Sequence, residues 1–307
     1  MNKWQKSILS LTIAVGMLSA GAPAAAAAQP AAAPKPSVHI YIDGNHQEEV
    51  LFYQSRSYIP LTAFEDKNRV KYGYDAKSGT IVIWRTVSGT KIQLKPGSKQ
   101  AVVNGKKVSL DLPVLTIKGR TFVPLQFLTR FLGAELEYGE RSNEVILRTT
   151  NGQNNYNLLR VGHLADARSV AVGLPLVYEN GQLVSKAEGT LVTYTFPEGE
   201  ALRYIVEHKG LKQYVVIGRD GIARVKWQKD TFSTNELGTP PADFGPSYYY
   251  SFDVREPDKI TYGSVSSSVS GQKNDMETYY VGEDNFKTGL IFEKIPKEER
   301  KDGIADE

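Results

Sequence analysis

An α+β module built from a repeated unit, followed by an all-β domain of meander, sandwich or barrel type, is the fold class this sequence predicts. Three observations predict it. A motif at Arg56–Leu61 recurs at Arg120–Leu125, 64 residues on. Short strand-like runs alternate with Gly-, Pro- and Asn-containing turns over most of the chain. One clear helical stripe, at Leu125, Leu128 and Leu132, and one weak one after Pro60 interrupt that pattern.

The chain has 307 residues. Lys3 and Lys6 precede an uncharged apolar run from Ser7 to Ala20, and Gly21 and Pro23 break it before Ala24–Ala28. This order predicts a secretory signal over 1–28, cut before Gln29. The apolar run falls short of the roughly 20 residues a spanning helix needs, and no second long apolar stretch follows. No membrane span is expected after cleavage. Residues 29–37, QPAAAPKPS, read as a Pro/Ala tether.

The repeated module is predicted over 38–149. Val38, Ile40 and Ile42 alternate as a half-buried strand running into an Asp43-Gly44 turn. Val102-Val103 leads into Asn104-Gly105, a hairpin signal, because both residues tolerate positive φ. Pro124 suits a helix start, and Gly133 suits a left-handed helix end. The 64-residue offset also relates Phe64 to Leu128, Tyr74 to Tyr138 and Ile81 to Val145, while Ile42-Asp43-Gly44 matches Val103-Asn104-Gly105 at an offset of 61. Short antiparallel strands with one or two packed helices are expected. Neither half is expected to fold alone, since a single unit of this size buries too little apolar surface.

The run from Arg120 to Tyr138, RTFVPLQFLTRFLGAELEY, its weaker counterpart at Arg56–Tyr74, and Val102–Lys106, VVNGK, resemble the copper amine oxidase-like N-terminal domain, also called the stalk domain. The resemblance covers 38–149 only. It implies an extracellular accessory module. In the amine oxidases, copper and the quinone cofactor sit in a separate catalytic domain, so no catalytic residue carries over.

Residues 150–189 read as a connector, with Asn151–Asn155 as a polar linker. From 190 to 295 the pattern is β. Strands are expected at Leu191–Phe196, Leu202–Val206, Tyr214–Ile217, Ile222–Trp227, Tyr248–Val254, Ile260–Val265, Thr278–Val281 and Thr288–Lys294. The charged tail, 296–307, is expected to be disordered.

Thirty-seven Lys and Arg against 34 Asp and Glu leave a net charge near balance. That balance gives no reason to expect nucleic acid as a partner. The absence of cysteine excludes disulfides, thiol catalysis and cysteine metal ligands. The four histidines, His39, His46, His163 and His208, lack metal-ligand spacing, although His39 and His46 can meet across a strand pair. Asn155-Tyr156-Asn157 lacks the acidic residue of the amine oxidase cofactor motif. Asp43-Gly44-Asn45 lacks the remaining ligands of a calcium loop and reads as a turn. No metal, no cofactor and no catalytic residue is therefore expected.

The expected function is that of a secreted, non-catalytic binding or scaffold protein, extracellular and associated with the cell wall. Its expected partner is a cell-wall glycan or another extracellular protein. One alternative is a secreted hydrolase with a carboxylate pair among Asp243, Asp253, Glu256, Asp275 and Glu277. Another is a secreted protein inhibitor or sensor. The candidate contact face is Tyr248, Tyr249, Tyr250, Tyr279 and Tyr280. Tyrosines alternate across a strand, so only those on its exposed side contribute to contact, and the rest pack as core.

Overall fold

Pairs of left-handed residues set the strand pairs of the first module. Asp43 and Gly44 have φ of 47° and 83°, and Asn104 and Gly105 have 48° and 81°. Gln54 and Ser55 have 50° and 58°, and Lys118 and Gly119 have 50° and 76°. Two successive positive φ values make the turn whose twist matches the flanking strands of a hairpin. The computed structural model describes residues 38–303 except 65, 67, 68, 269, 270 and 283–288. The expected signal and tether, 1–37, and residues 304–307 lie outside the described residues.

The first module contains three sheets. One has the order Glu135–Tyr138, Glu144–Arg148, His39–Ile42, Asn45–His46, with Ile40 opposite Val145 in a parallel pair. A second runs Val70–Asp75, Thr80–Arg85, Thr90–Leu94, Gln100–Val103, Lys106–Ser109. The third joins Leu115–Ile117, Arg120–Pro124, Arg56–Pro60 and Leu51–Tyr53. At its centre Val123 faces Ile59, flanked by Phe122 opposite Pro60 and Pro124 opposite Tyr58. Ile59 and Val123, 64 residues apart, thus meet directly between antiparallel strands.

Pro124 ends its strand and opens the helix Leu125–Phe127, which widens into π geometry over Leu128–Leu132. Gly133 closes it at φ 75°, in the left-handed conformation that glycine adopts without a steric cost. The corresponding segment of the first half forms only the 3₁₀ turn Leu61–Ala63.

The module has one core. Ile40, Ile59, Phe64 and Ile83 pack with Ile92, Val123, Leu128 and Leu147. All three sheets take their first and last strands from opposite halves of the module, and one of them is closed by the Ile59–Val123 pair. An isolated half would leave these strands without neighbours. Val38–Thr149 is therefore expected to melt cooperatively, whereas pieces ending at Arg85 or beginning at Thr90 are expected to give no sigmoidal transition. A thermal scan by circular dichroism checks this, and a cooperative transition from either piece would contradict it.

The second module differs from expectation in three places. The 150–189 connector carries more structure than the short pieces expected, and Asn151–Asn155, read as a polar linker, is helical. Thr149 accepts a hydrogen bond from Gly152 N–H at 3.1 Å and caps a helix, Thr150–Val161. A second helix, Leu164–Gly173, follows. Leu159 and Ala171 lie in the core of the second module, so burial of a few positions holds a largely polar segment helical.

A nine-stranded sheet supports these helices. Its order is Leu176–Tyr178, Ala223–Asp230, Leu211–Ile217, Arg203–His208, Leu191–Pro197, Ser247–Asp253, Glu256–Val265, Lys273–Tyr280, with Glu236–Gly238 beside Ala223–Asp230. Only Leu176–Tyr178 is parallel to its neighbour. Two meanders therefore share the strand Leu191–Pro197. The described elements of 190–295 are all strands, as expected, and the two helices that cover their sheet come from the preceding stretch.

The strand expected at Thr288–Lys294 is absent from its described part, 289–294, and Thr288 lies outside the described residues. Phe292 instead stacks on Tyr250, with centroids 4.1 Å apart, and Ile295 joins the same core. The tail, expected to be disordered, is docked over 296–303. Asp302 accepts from Ala201 N–H and Leu202 N–H, both at 2.6 Å. Arg300 Nη1 donates to Gly162 O at 2.7 Å, at the end of the first helix.

Candidate functional site

Charge buried between the two modules is the most elaborate side-chain arrangement in the chain. Arg224 stands on the strand Ala223–Asp230 and grips Asp220, four residues earlier, with two hydrogen bonds of 3.0 and 2.7 Å. Its Nη2 also lies 2.7 Å from Glu144, at the start of the strand Glu144–Arg148 in the first module. Arg224, Asp220 and Glu144 are all buried. Burial alone would raise the Asp220 carboxyl, but hydrogen bonds from Arg224 and from Ile222 N–H outweigh it and hold its pKa below the usual carboxylate value. Around this centre Arg141 pairs with Glu179, and Lys226 meets Glu179 at 2.8 Å. Tyr41 and Ile146 of the first module close over Ile222 and Val177 of the second.

A second contact sits beside it. Arg148 Nη2 donates to Asp220 O at 2.8 Å, and its guanidinium lies 3.6 Å from the Tyr156 ring centroid. Tyr156 Oη donates to Arg219 O at 2.7 Å. Asp43, a turn residue in the sequence reading, also accepts from Thr149 N–H and Thr149 Oγ1 at 2.8 and 2.6 Å. Gly152 lies so close that a Cβ there would meet Asp43 Oδ1 at 1.7 Å. The carboxyl thus fastens the first hairpin to the first helix, and burial raises its pKa despite the Thr149 bonds.

Two larger clefts lie apart from the residues of this joint. One, of 740 Å³, lies in the first module between Tyr72, Tyr74 and Ile81 on one wall and Thr116, Arg120 and Thr121 on the other. Among the described residues, its polar lining is Thr62, Tyr72, Tyr74, Thr116, Arg120 and Thr121. Another, of 530 Å³, lies between the second helix and the tail, over Arg168, Tyr250 and Phe292. Its buried charges are paired: Arg168 holds Glu298 through bonds of 2.8 and 2.7 Å.

These interior pairs escaped the sequence reading. Their members lie up to 130 residues apart, as Arg168 and Glu298 do, and single charged residues in strands or tails give no local signal. The i,i+4 spacing of Asp220 and Arg224 was the one local hint.

The five candidate tyrosines do not form one face. Tyr249, Tyr250 and Tyr279 are buried, Tyr248 is half-buried, and only Tyr280 is well exposed. Tyr250 faces the helices through Phe292, whereas Tyr249 faces the other side of the sheet. There it donates to Asp275 and lies under the Lys273 ammonium, 5.0 Å away. Both sides of this strand are covered, so alternation does not leave one side free.

The candidate carboxylates are dispersed as well. Asp253 accepts from Arg255 and Thr190, and Asp243 from Ser268 and Gly245 N–H. Side-chain hydrogen bonds, from Arg255 and Ser267 respectively, lower both pKa values, the opposite of what a general acid needs. Asp275 is held by Tyr249, Glu277 accepts from Tyr262 at 3.3 Å, and Glu256 sits exposed at a strand start. Among the histidines, His39 Nδ1 and His46 Nε2 do meet, at 3.1 Å. His163 precedes the second helix without capping it, and His208 stands on a central strand. No group of three or more His, Asp or Glu placed to hold a metal ion occurs among the described residues.

The first module has an established family. Residues 42–147 match the family model described as copper amine oxidase N-terminal domain. The first module is a copper amine oxidase N-terminal domain. The match covers about a third of the chain and stops at Leu147, one residue before Arg148 enters the joint. No curated protein and no solved structure matches the chain. Glu144, Tyr41 and Ile146 thus place one sheet of the copper amine oxidase N-terminal domain against the second module. No helix among the described residues is long and apolar enough to cross a membrane.

Proposed function

We propose that this chain is a secreted, non-catalytic binding and scaffold protein of the cell envelope, exported by the signal at 1–28. In this reading, a duplicated copper amine oxidase N-terminal domain carries the β-rich module as one rigid body. The observation that carries the reading is the joint. The buried charges of Arg224, Asp220 and Glu144 are paired with one another across the two modules. Supporting the duplication, residues 64 apart meet around the Ile59–Val123 pair, and left-handed turn pairs recur at equivalent places.

The test is a pull-down of the mature protein on purified cell walls, run beside a culture-supernatant fraction. The protein is expected in the wall pellet and in no stable complex from the supernatant. Protein that stays in solution and cleaves wall glycan would overturn the reading.

A further inference from the structure

In the first module, the four-stranded sheet that runs from Glu135–Tyr138 to Asn45–His46 and the five-stranded sheet are counterparts, and their outer faces have different fates. In the four-stranded sheet, Tyr41, Ile146, Arg148 and Glu137 point outward, and the second module covers Tyr41 and Ile146. The offsets of 61 and 64 residues relate these four to Val102, Val82, Trp84 and Gly73 of the five-stranded sheet, where the strand Thr90–Leu94 lies between Val82 and Val102. There the face is open.

This open face is basic. One row across the strands reads Lys71, Trp84, Lys91. The next reads Gly73, Val82, Gln93, Val102, Lys107. All three lysines are exposed, and no ion pair among the described residues engages them. The one carboxylate among the strand residues of this face, Asp75, is held by its own turn, accepting from Lys77 N–H and Ser78 Oγ. Trp84 is 41 % exposed and lies flat, because Gly73 leaves room: a Cβ there would meet the indole at 2.8 Å. Lys91 stands 6.0 Å from its ring centroid.

Deepening the reading above, on which it rests, we propose that this sheet face binds an anionic polysaccharide. Strands lie about 4.8 Å apart, so Lys71 and Lys107 bracket a track roughly 20 Å wide. Lysines along that track match carboxylate or phosphate groups of an extended chain. A flat indole offers a platform for the apolar face of a sugar ring, and Gln93 beside it offers an amide to hydroxyl groups. Val82 is already buried, so the apolar area left is small. Lysine is depleted from protein–protein interfaces, which favours a polyanion over a protein surface. A single aromatic fits sugar contact better than single-stranded nucleic acid, which stacks on successive rings.

Affinity electrophoresis of the full mature chain through gels containing polygalacturonate, dextran, polyglutamate or single-stranded DNA tests this. Retardation is expected in polygalacturonate, fading with added salt, and not in dextran. The K71E/K91E variant is expected to weaken polygalacturonate binding by at least tenfold. W84A is expected to weaken it about tenfold while leaving any binding to polyglutamate unchanged. Melting curves identify any variant that has lost its fold, and K107E, on an exposed position, then replaces it. Absence of polygalacturonate binding, indifference to all three variants, or stronger retardation by DNA or polyglutamate would overturn the proposal. Wall binding that persists in K71E/K91E sinks this proposal alone. Polygalacturonate binding by a protein that ignores cell walls sinks the envelope reading alone.

Discussion

Arg224→Met is expected to destabilise the folded chain by about 3–5 kcal/mol, since one partner of a buried ion pair is removed and the others stay behind. Asp220 and Glu144 would remain buried without the guanidinium that accounts for three of their hydrogen bonds, at 3.0, 2.7 and 2.7 Å. Methionine retains most of the volume, so the loss reports the charge and its hydrogen bonds and not a cavity. Equilibrium denaturation at pH 7 gives the magnitude.

The pH dependence gives a second check. The Asp220 carboxyl has a folded pKa below its unfolded value. A depressed carboxylate contributes stability that is fully present above the unfolded pKa, about 4, and is lost as pH falls through the folded value. Without Arg224, burial would push the same carboxyl upward. The gap between the native chain and Arg224→Met should therefore be widest near neutrality and should narrow below pH 4. A gap that does not change with pH would show that the guanidinium acts by packing alone.

The features legible in the sequence were those with a local cause. The Asn104-Gly105 hairpin and the Gly133 helix end follow from residues that accept positive φ, and both occur where the pattern placed them. The strand order of the second module was half legible, since meander neighbours are sequence neighbours. The helix Thr150–Val161 was not, because its polar surface hides the few positions, Tyr156 and Leu159, that touch the core. The same limit governed the tyrosines. Alternation in Ser247–Asp253 separates Tyr249 from Tyr250, but it could not reveal that the helices cover one side and Lys273 and Asp275 the other. The near-balanced net charge likewise concealed a local excess. Lys71, Lys91 and Lys107 come from three strands and meet only through the register of the sheet.

The tail offers the sharpest contrast between composition and structure. Removal of Lys297–Glu307 is expected to destabilise the chain by about 3–5 kcal/mol. Composition alone predicts no effect, because Lys297–Asp302 consists entirely of charged residues. In the structure, however, Glu298 is the only carboxylate paired with Arg168 among the described residues, and both are buried. The Arg168 guanidinium also donates to Glu200 O at 2.9 Å and Pro197 O at 3.2 Å, and it lies 5.0 Å from the Phe196 ring centroid. Those contacts fix the second helix against the sheet, but they leave a positive charge that only Glu298 balances. Loss of Asp302 would also free two backbone N–H groups, those of Ala201 and Leu202. Glu298→Gln separates the contributions. It keeps an acceptor in place and removes the charge, so its cost should be smaller, on the order of 1–3 kcal/mol. In denaturant unfolding, the native chain, Glu298→Gln and the truncation should rank in that order of decreasing stability. A truncated chain that melts with the native midpoint would show that Arg168 finds its stabilisation elsewhere and that the docked tail contributes nothing.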